Sequence, residues 1–453
     1  MRRIPSEVVL SLTLLLALFL ATPAWPQSGN LGTDIGGQSQ MSLPPPVSNE
    51  AYPVTTGSEA RSNYLGVGAT FSGGFVHNLY PGSGSVPVDD TTYLIQPHIS
   101  LDRAGPLYHA TLTYTPSFTF YQPTSTLNSI DQSAGINSRL RLSPHVSLQA
   151  MDSFNKTSNA FVQNSSLSQG SVYGTAPSTT PGIVAPFAPQ WTNNANAGIF
   201  WQFGANSMVS ATGTLTQLNF TNPSQAGGFY NSQSRGGSGS YTHRISDRQD
   251  LGALYQYAWI HATPVGTSAL ASSVLQTNAI LGFYTFYPSQ QFSVSLTGGF
   301  QSYTATQSPL PTFKSRAPAG TISIGWQGVH TSFAASYGRA ITSGAGVIGA
   351  YESDSANLSA RWRLSRTWTA GVAGIYSEIN SVTPKQFYGS TTGGHTISGS
   401  ASLNYTIDRN LGLSCSYSRL HQTYSGLPAV SNNPNSDQVL VSLDYRLSRQ
   451  LGR

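Results

Sequence analysis

Residues 396–417 read Thr-Ile-Ser-Gly-Ser-Ala-Ser-Leu-Asn-Tyr-Thr-Ile-Asp-Arg-Asn-Leu-Gly-Leu-Ser-Cys-Ser-Tyr. Ile397, Gly399, Ala401, Leu403, Tyr405 and Ile407 fall on one side of an extended chain, and Thr396, Ser398, Ser400, Ser402, Asn404 and Thr406 on the other. Period two over this length is the signature of a strand with two unlike faces. Asp408-Arg409-Asn410 supplies a tight turn, after which Leu411, Leu413, Cys415 and Tyr417 resume the pattern. The second face is Ser and Thr rather than charge, so it predicts a strand with lipid on one side and a wet interior on the other.

The same grammar extends outward over most of the chain. From Tyr64 onward, apolar and small polar residues alternate over ten to fourteen positions; Phe292, Val294, Leu296, Gly298 and Phe300 are another instance. Tight turns fall near Ala104-Gly105, Ser143-Pro144-His145, Ala205-Asn206-Ser207, Ser246-Asp247-Arg248, Pro288-Ser289-Gln290, Gln327-Gly328, Ser365-Arg366-Thr367 and Asp408-Arg409-Asn410. Longer polar connectors lie between them, the longest from about Ser158 to Trp191. Eight hairpins, a first strand Tyr64–His77 and a last strand Gln438–Leu447 make eighteen strands, with sixteen as the alternative. The predicted fold is all-β: a transmembrane antiparallel up-and-down barrel, with short turns at one end and long loops at the other.

Composition agrees. Charged residues are 9% of the 453, against ~25% in an ordinary soluble domain. Hydrophobic residues are 39%, with 23 Tyr and 19 Phe, too aromatic for a disordered chain and too polar for a helical membrane protein. A closed barrel crosses a bilayer without a long apolar run, because its backbone groups pair between strands. Trp201, Phe203, Tyr284, Phe286, Trp326, Trp362, Trp368, Tyr405 and Tyr445 lie near strand ends, where aromatic girdles form.

The N-terminus reads as an export signal. Met1-Arg2-Arg3 precedes the apolar Val8–Leu20 stretch and Ala21-Thr22-Pro23-Ala24. The apolar stretch is shorter than the ~20 residues of a spanning helix, so cleavage within residues 24–27 is predicted, with an N-terminal anchor as the alternative. Residues 25–63, with Pro44-Pro45-Pro46 and Ser/Thr clusters, read as a flexible periplasmic leader, and residues 64–453 as the barrel. Cys415 is the one cysteine, so an intrachain disulfide is impossible. Formal charge is +5, and of 22 basic residues only Lys156, Lys314 and Lys385 are lysines.

The segment Leu440-Val441-Ser442-Leu443-Asp444-Tyr445-Arg446-Leu447 resembles the terminal β-signal of bacterial outer-membrane proteins, polar–x–Gly–x–x–aromatic–x–hydrophobic. Leu440 stands in the polar place and Ser442 in that of the glycine, and Ser448–Arg453 runs past the usual end. Tyr64–Arg453 as a whole resembles porin-like barrels. The resemblance implies recognition by the barrel-assembly machinery and contact with outer-membrane lipid and lipopolysaccharide; with the N-terminal signal read as a Sec signal, the expected place is the cell outer membrane of a Gram-negative bacterium.

One short repeat carries the functional reading. Arg-apolar-Ser recurs at Arg141-Leu142-Ser143, Arg244-Ile245-Ser246, Arg363-Leu364-Ser365 and Arg446-Leu447-Ser448. Parity points each Arg into the lumen, and Arg139 and Arg361 join them from two residues earlier. Six inward arginines, offset by Asp102 and Asp444, would form a positive ring at the short-turn mouth and favour anions. The alternative is solvated charge flanking turns. Arg339 and Arg419 share parity with the lipid face at the outer strand ends; they are candidates for lipopolysaccharide phosphate contact, with solvated rim residues as the alternative.

Eighteen strands enclose more space than wall side chains fill. The expected function is a porin-like channel for hydrophilic solutes with modest anion preference. Its narrower form is export of an anionic polysaccharide, for which alginate-type exporters are similar in architecture. The alternatives are a non-conducting structural or adhesive barrel, closed by the leader or the 158–191 loop, and a lipase-type enzyme on the barrel wall, for which His243 is the residue to check. No metal-ligand spacing, nucleophile elbow or phosphate loop occurs, so no cofactor, metal or enzymatic activity is expected. Arginines dispersed along strands argue against a nucleic-acid partner.

Overall fold

Antiparallel pairing continues around the whole molecule and returns to its start. The structure, a computed structural model, describes residues 63–79, 88–158, 161, 188–222, 226, 229–265, 272–289, 291–307, 311–343, 349–382, 393–425 and 435–451. The predicted signal (1–24), nearly all of the leader (25–63) and most of the 158–191 loop lie outside the described residues.

The strands are β1 Tyr64–His77, β2 Asp90–Ala104, β3 Tyr108–Tyr121, β4 Ser129–Arg141, β5 Val146–Thr157, β6 Gln190–Gly204, β7 Ser207–Phe220, β8 Tyr230–Ser246 and β9 Gln249–Pro264. They continue as β10 Ser273–Ser289, β11 Phe292–Gln307, β12 Phe313–Gln327, β13 Thr331–Thr342, β14 Tyr351–Arg363, β15 Trp368–Ser381, β16 Gly393–Asp408, β17 Leu411–Ser425 and β18 Asn435–Gln450. Each pairs with its sequence neighbours, and β1 pairs with β18 from Tyr64↔Gln450 to His77↔Asp437, closing an 18-stranded barrel. All eight predicted turns connect the strands they were expected to connect, and the last strand runs a few residues beyond Gln438–Leu447 at both ends.

The turns show why the Arg-apolar-Ser repeat exists. Ser143 Oγ accepts the N–H groups of His145 and Val146 at 3.2 and 3.0 Å, Ser365 Oγ those of Thr367 and Trp368 at 3.2 and 3.1 Å, and Ser246 Oγ that of Arg248 at 3.3 Å. A serine that bonds forward to its own backbone closes a turn locally. Ser448 differs, since it lies within β18 opposite Gly66.

The outward face repeats strand by strand. On β12 it reads Trp326, Ile324, Ile322, Gly320 and Pro318, then Arg316 and Lys314; on β15 Trp368, Ala370, Val372, Gly374 and Tyr376, then Glu378 and Asn380. About five alternating outward positions span the apolar belt expected of such a wall, ~25 Å tall. Trp368 and Tyr405 meet at 4.7 Å and Phe203 and Tyr241 at 6.3 Å in the lower girdle. Tyr337, Tyr376 and Tyr417 mark the upper one, and each donates its hydroxyl to a carboxylate just above it: Asp354 at 2.6 Å, Glu378 at 2.6 Å and Asp437 at 2.5 Å. These rings sit where an amphipathic side chain belongs, body in lipid and hydroxyl in the headgroup layer. Cys415 faces lipid in the middle of this belt, exposed.

The inner face departs from expectation on two strands. Most strands present Ser and Thr inward, but β9 and β10 present Leu254, Ala258, Ile260, Leu275, Ala279, Leu281 and Phe283, all buried. In Leu251–Ile260 both faces are apolar or aromatic apart from the inward Gln256, so alternation alone does not reveal that the interior is not uniformly polar there. Phe283 lies over Gly252, its cross-strand partner, where any Cβ would strike the ring and the Tyr241 carbonyl.

Candidate functional site: the two mouths of the barrel

At the short-turn end, Arg139 and Arg141 on β4, Arg244 on β8, Arg361 and Arg363 on β14 and Arg446 on β18 all have inward parity. Four strands spaced four to six apart carry them, so the charge is distributed around the circumference. Among the described strand residues these six are the inward cations. The inward carboxylates at this end are Asp102, Asp444 and a third that the sequence reading does not include, Asp250, which directly opposes Arg244 across a two-residue turn. Arg244 Nε lies 3.7 Å from Asp250 Oδ1, and Arg446 Nε pairs with Asp444, whose other oxygen accepts the Thr70 hydroxyl at 2.8 Å. Asp102 meets His109 Nε2 at 3.1 Å. Arg139, Arg141 and Arg363 have no carboxylate within 4 Å among the described residues. The mouth is thus net positive, with two of the six arginines locally neutralised.

The long-connector end has a different construction. Ala188, Leu218, Phe220, Ala226, Phe229 and Val265, from the β6–β9 side, form one buried cluster with Tyr351 on β14, Ile379 on β15 and Tyr424 on β17. These groups come from opposite sides of an 18-strand ring, so apolar side chains meet across the lumen. Tyr424 and Thr396 share a buried hydrogen bond of 2.9 Å beside it. Two inward acids there serve the backbone: Asp90 accepts the N–H groups of Gln122 and Thr124 at 3.0 and 3.1 Å together with the Thr124 hydroxyl, and Asp131 accepts the Ser158 N–H at 3.1 Å. Together they tie down loop ends and leave the outer mouth to apolar packing.

The two outward arginines prove to be members of a repeated clamp. Arg339 bonds Asp354 through Nε and Nη2 at 2.7 and 2.8 Å and reaches Glu352 at 3.4 Å. Arg419 stands opposite Asp437 in register but 3.9 Å away. The sequence carries a signal for this pair: Ser336-Tyr337-Gly338-Arg339 and Ser416-Tyr417-Ser418-Arg419 are each followed by Ser-Asp (Ser353-Asp354, Ser436-Asp437), with the Asp nine residues before the Arg of Arg-Leu-Ser. β13–β14 and β17–β18 are therefore copies of one hairpin pattern.

His243 faces outward and its Nδ1 lies 3.0 Å from Ser207 Oγ, which also approaches the Tyr241 hydroxyl at 3.4 Å. Among the described residues no carboxylate or amide bonds the other ring nitrogen. The pair lacks the third group that orients a catalytic base. No group of three His, Cys, Asp or Glu able to hold a metal occurs among the described residues.

No family model matches the sequence, and no curated protein matches it. Among solved structures, the chain is similar to the FrpB iron transporter from Neisseria meningitidis (F3-3 variant), at 11% identity and TM-score 0.42 over 86% of this chain and 82% of that one. It is also similar to OccK2 (OpdF) of Pseudomonas aeruginosa, solved in complex with glucuronate, at 10% identity and TM-score 0.41 over 86% and 100% of the two chains. Pseudomonas aeruginosa OpdK aligns at 11% identity and TM-score 0.39 over 85% and 99%.

Proposed function

We propose that the protein is an outer-membrane channel for hydrophilic solutes, with anion preference set at the short-turn mouth. The observation that carries this reading is the inward arginine set, six guanidiniums against three carboxylates, in a closed wall whose outer face is an apolar belt between two aromatic girdles. Fixed cations lining a low-dielectric wall raise the local concentration of anions and lower the entry barrier for them. Arg139, Arg141 and Arg363 contribute most, because Arg244 and Arg446 are paired. Export of an anionic polysaccharide is the narrower form of the reading and requires the same ring plus an outer mouth that clears. Of the two candidates for lipopolysaccharide phosphate, Arg419 is better placed, since Arg339 is committed to Asp354 and Glu352. The barrel-assembly machinery remains the expected partner for insertion.

Reversal potentials in planar bilayers under a salt gradient test the ring. Neutralising Arg139, Arg141, Arg361 and Arg363 together is expected to carry the channel from anion preference to none. An unchanged reversal potential would reduce these residues to supports for turns.

A second reading, a barrel that does not conduct, is favoured by the apolar cluster across the outer mouth. It predicts no conductance steps from the native protein under any polarity. A steady ohmic conductance from the unmodified protein would exclude it.

A further inference from the structure

The β12–β13 ladder ends in a seam. β12 and β13 pair from Gln327↔Ser332 up to Gly320↔Arg339, and there the ladder stops. β12 continues upward for seven more residues, Ala319 to Phe313, paired only with β11. β13 continues through Ala340, Ile341 and Thr342, paired only with β14. The next pairs in register would be Ala340 with Ala319 and Ile341 with Pro318. Instead the tip of β13 turns into the lumen. The Gln301 side chain of β11 donates to the Ile341 carbonyl at 3.1 Å and accepts the Ile341 N–H at 2.8 Å, a side-chain amide standing in for a strand. Ile341 packs with Ile260, Leu275 and Tyr303 on the inner faces of β9–β11 and with Ala350, just ahead of β14.

Three features say what this seam suits. Its height is the first: Gly320 and Pro318 are the last outward positions of the apolar belt, so the unpaired backbone begins at the headgroup level, where water and headgroups can satisfy it. Charge is the second. Lys314 and Arg316 stand outward and exposed on the free lip, with no carboxylate within 4 Å among the described residues, while the acids Glu352 and Asp354 are held on the far side by Arg339. The third is the surface behind the opening. The apolar inner faces of β9 and β10 lead to it, and Ala319 at its base packs with Leu254, Leu281 and Phe283.

We propose that this seam is a lateral portal for an anionic amphiphile, an acyl chain bearing a phosphate head, moving between the lumen and the outer leaflet. The acyl chain would follow the apolar track of β9–β10 while the phosphate stays on the Lys314–Arg316 lip. The tip of β13 then has a double effect, opening the wall where it leaves β12 and filling the axial path where it arrives. This inference does not rest on axial conduction.

The test is photocrosslinking with the full-length protein in vesicles of phosphatidylglycerol or of phosphatidylcholine. A benzophenone side chain is placed at Ala317, inward behind the seam, or at Ser398, inward at similar height behind the intact β15–β16–β17 wall. Lipid adduct is expected at Ala317 in phosphatidylglycerol and not at Ser398. Lys314→Gln and Arg316→Gln, both outside the β12–β13 ladder, should each lower the adduct by about fivefold, the effect of ~1 kcal/mol per basic residue near an anionic surface. Equal adduct at the two positions, or equal yield in phosphatidylcholine and phosphatidylglycerol, overturns the portal. Absent conductance with adduct at Ala317 would refute the axial channel alone.

Discussion

The hairpins β13–β14 and β17–β18 share one sequence pattern and diverge in one place. Both carry Ser-Tyr-x-Arg on the ascending strand and Ser-Asp on the descending one, and both end in Arg-Leu-Ser. In β17 the residues after Arg419 stay in the wall: Leu420, Gln422 and Tyr424 face inward and the ladder to β16 runs up to Ser425↔Gly393. In β13 the residues after Arg339 leave the wall. The neighbours differ more than the hairpins do. β16 offers β17 an edge that pairs without a break from Thr406 up to Gly393. β12 offers β13 Pro318, which has no N–H to give, while Gln301 offers a competing amide two strands away. Arg339 adds a pull of its own, gripped by Asp354 with two short bonds where Arg419 is held loosely. Local sequence writes the hairpin, and partners distant in sequence decide whether its tip stays in the sheet.

The comparison is broken most forcefully by giving β13 back its ladder. Gln301→Leu combined with Pro318→Thr removes the competing amide and restores a donor to the edge of β12. Leaving a buried peptide group unpaired costs about 1–3 kcal/mol, so the tucked state should lose roughly ten- to a hundredfold in population. Longer and more frequent open events in planar bilayers are expected, and the Ala317 adduct should fall with them. If conductance stays as in the native protein, the tip of β13 is not what closes the outer mouth.

A smaller difference separates the clamps. Asp354→Asn breaks two charge-assisted bonds to Arg339 and weakens the one from Tyr337, on a surface that screens such pairs in part; a loss of about 1 kcal/mol is expected. Asp437→Asn should cost less than half of that. Urea unfolding followed by tryptophan fluorescence would resolve the two, and equal losses would mean that the closer geometry of the Arg339 clamp is energetically idle. The smallest contrast lies at the serines. Ser365→Ala loses a hydroxyl that accepts two turn N–H groups and should cost about 0.5–1 kcal/mol, whereas Ser448→Ala, inside a strand, should be near neutral.

Strand positions, turns, inward arginines and outward girdles were legible because each depends on period two and on residues within one hairpin. Arg244–Asp250 is equally local, and emerges once the register of the Ser246–Gln249 turn is carried across to β9. The apolar inner wall of β9–β10 was hidden by its own composition: when Tyr255, Tyr257 and Trp259 face lipid while Leu254, Ala258 and Ile260 face inward, alternation vanishes. The seam and the closed outer mouth were out of reach for another reason. Gln301 and Ile341 are forty residues apart, and Phe220 and Tyr424 more than two hundred, so no window along the chain contains both partners.

The lone thiol of β17 gives the molecule a clock. Cys415 projects from the wall into the hydrocarbon between Leu413 and Tyr417, so in the inserted barrel a water-soluble maleimide cannot reach it while a lipid-soluble one can. An unfolded chain offers the same sulfur to water. Chemical protection of one native atom therefore reports the moment at which the penultimate strand enters the bilayer, with no added label and no second cysteine to confuse the count.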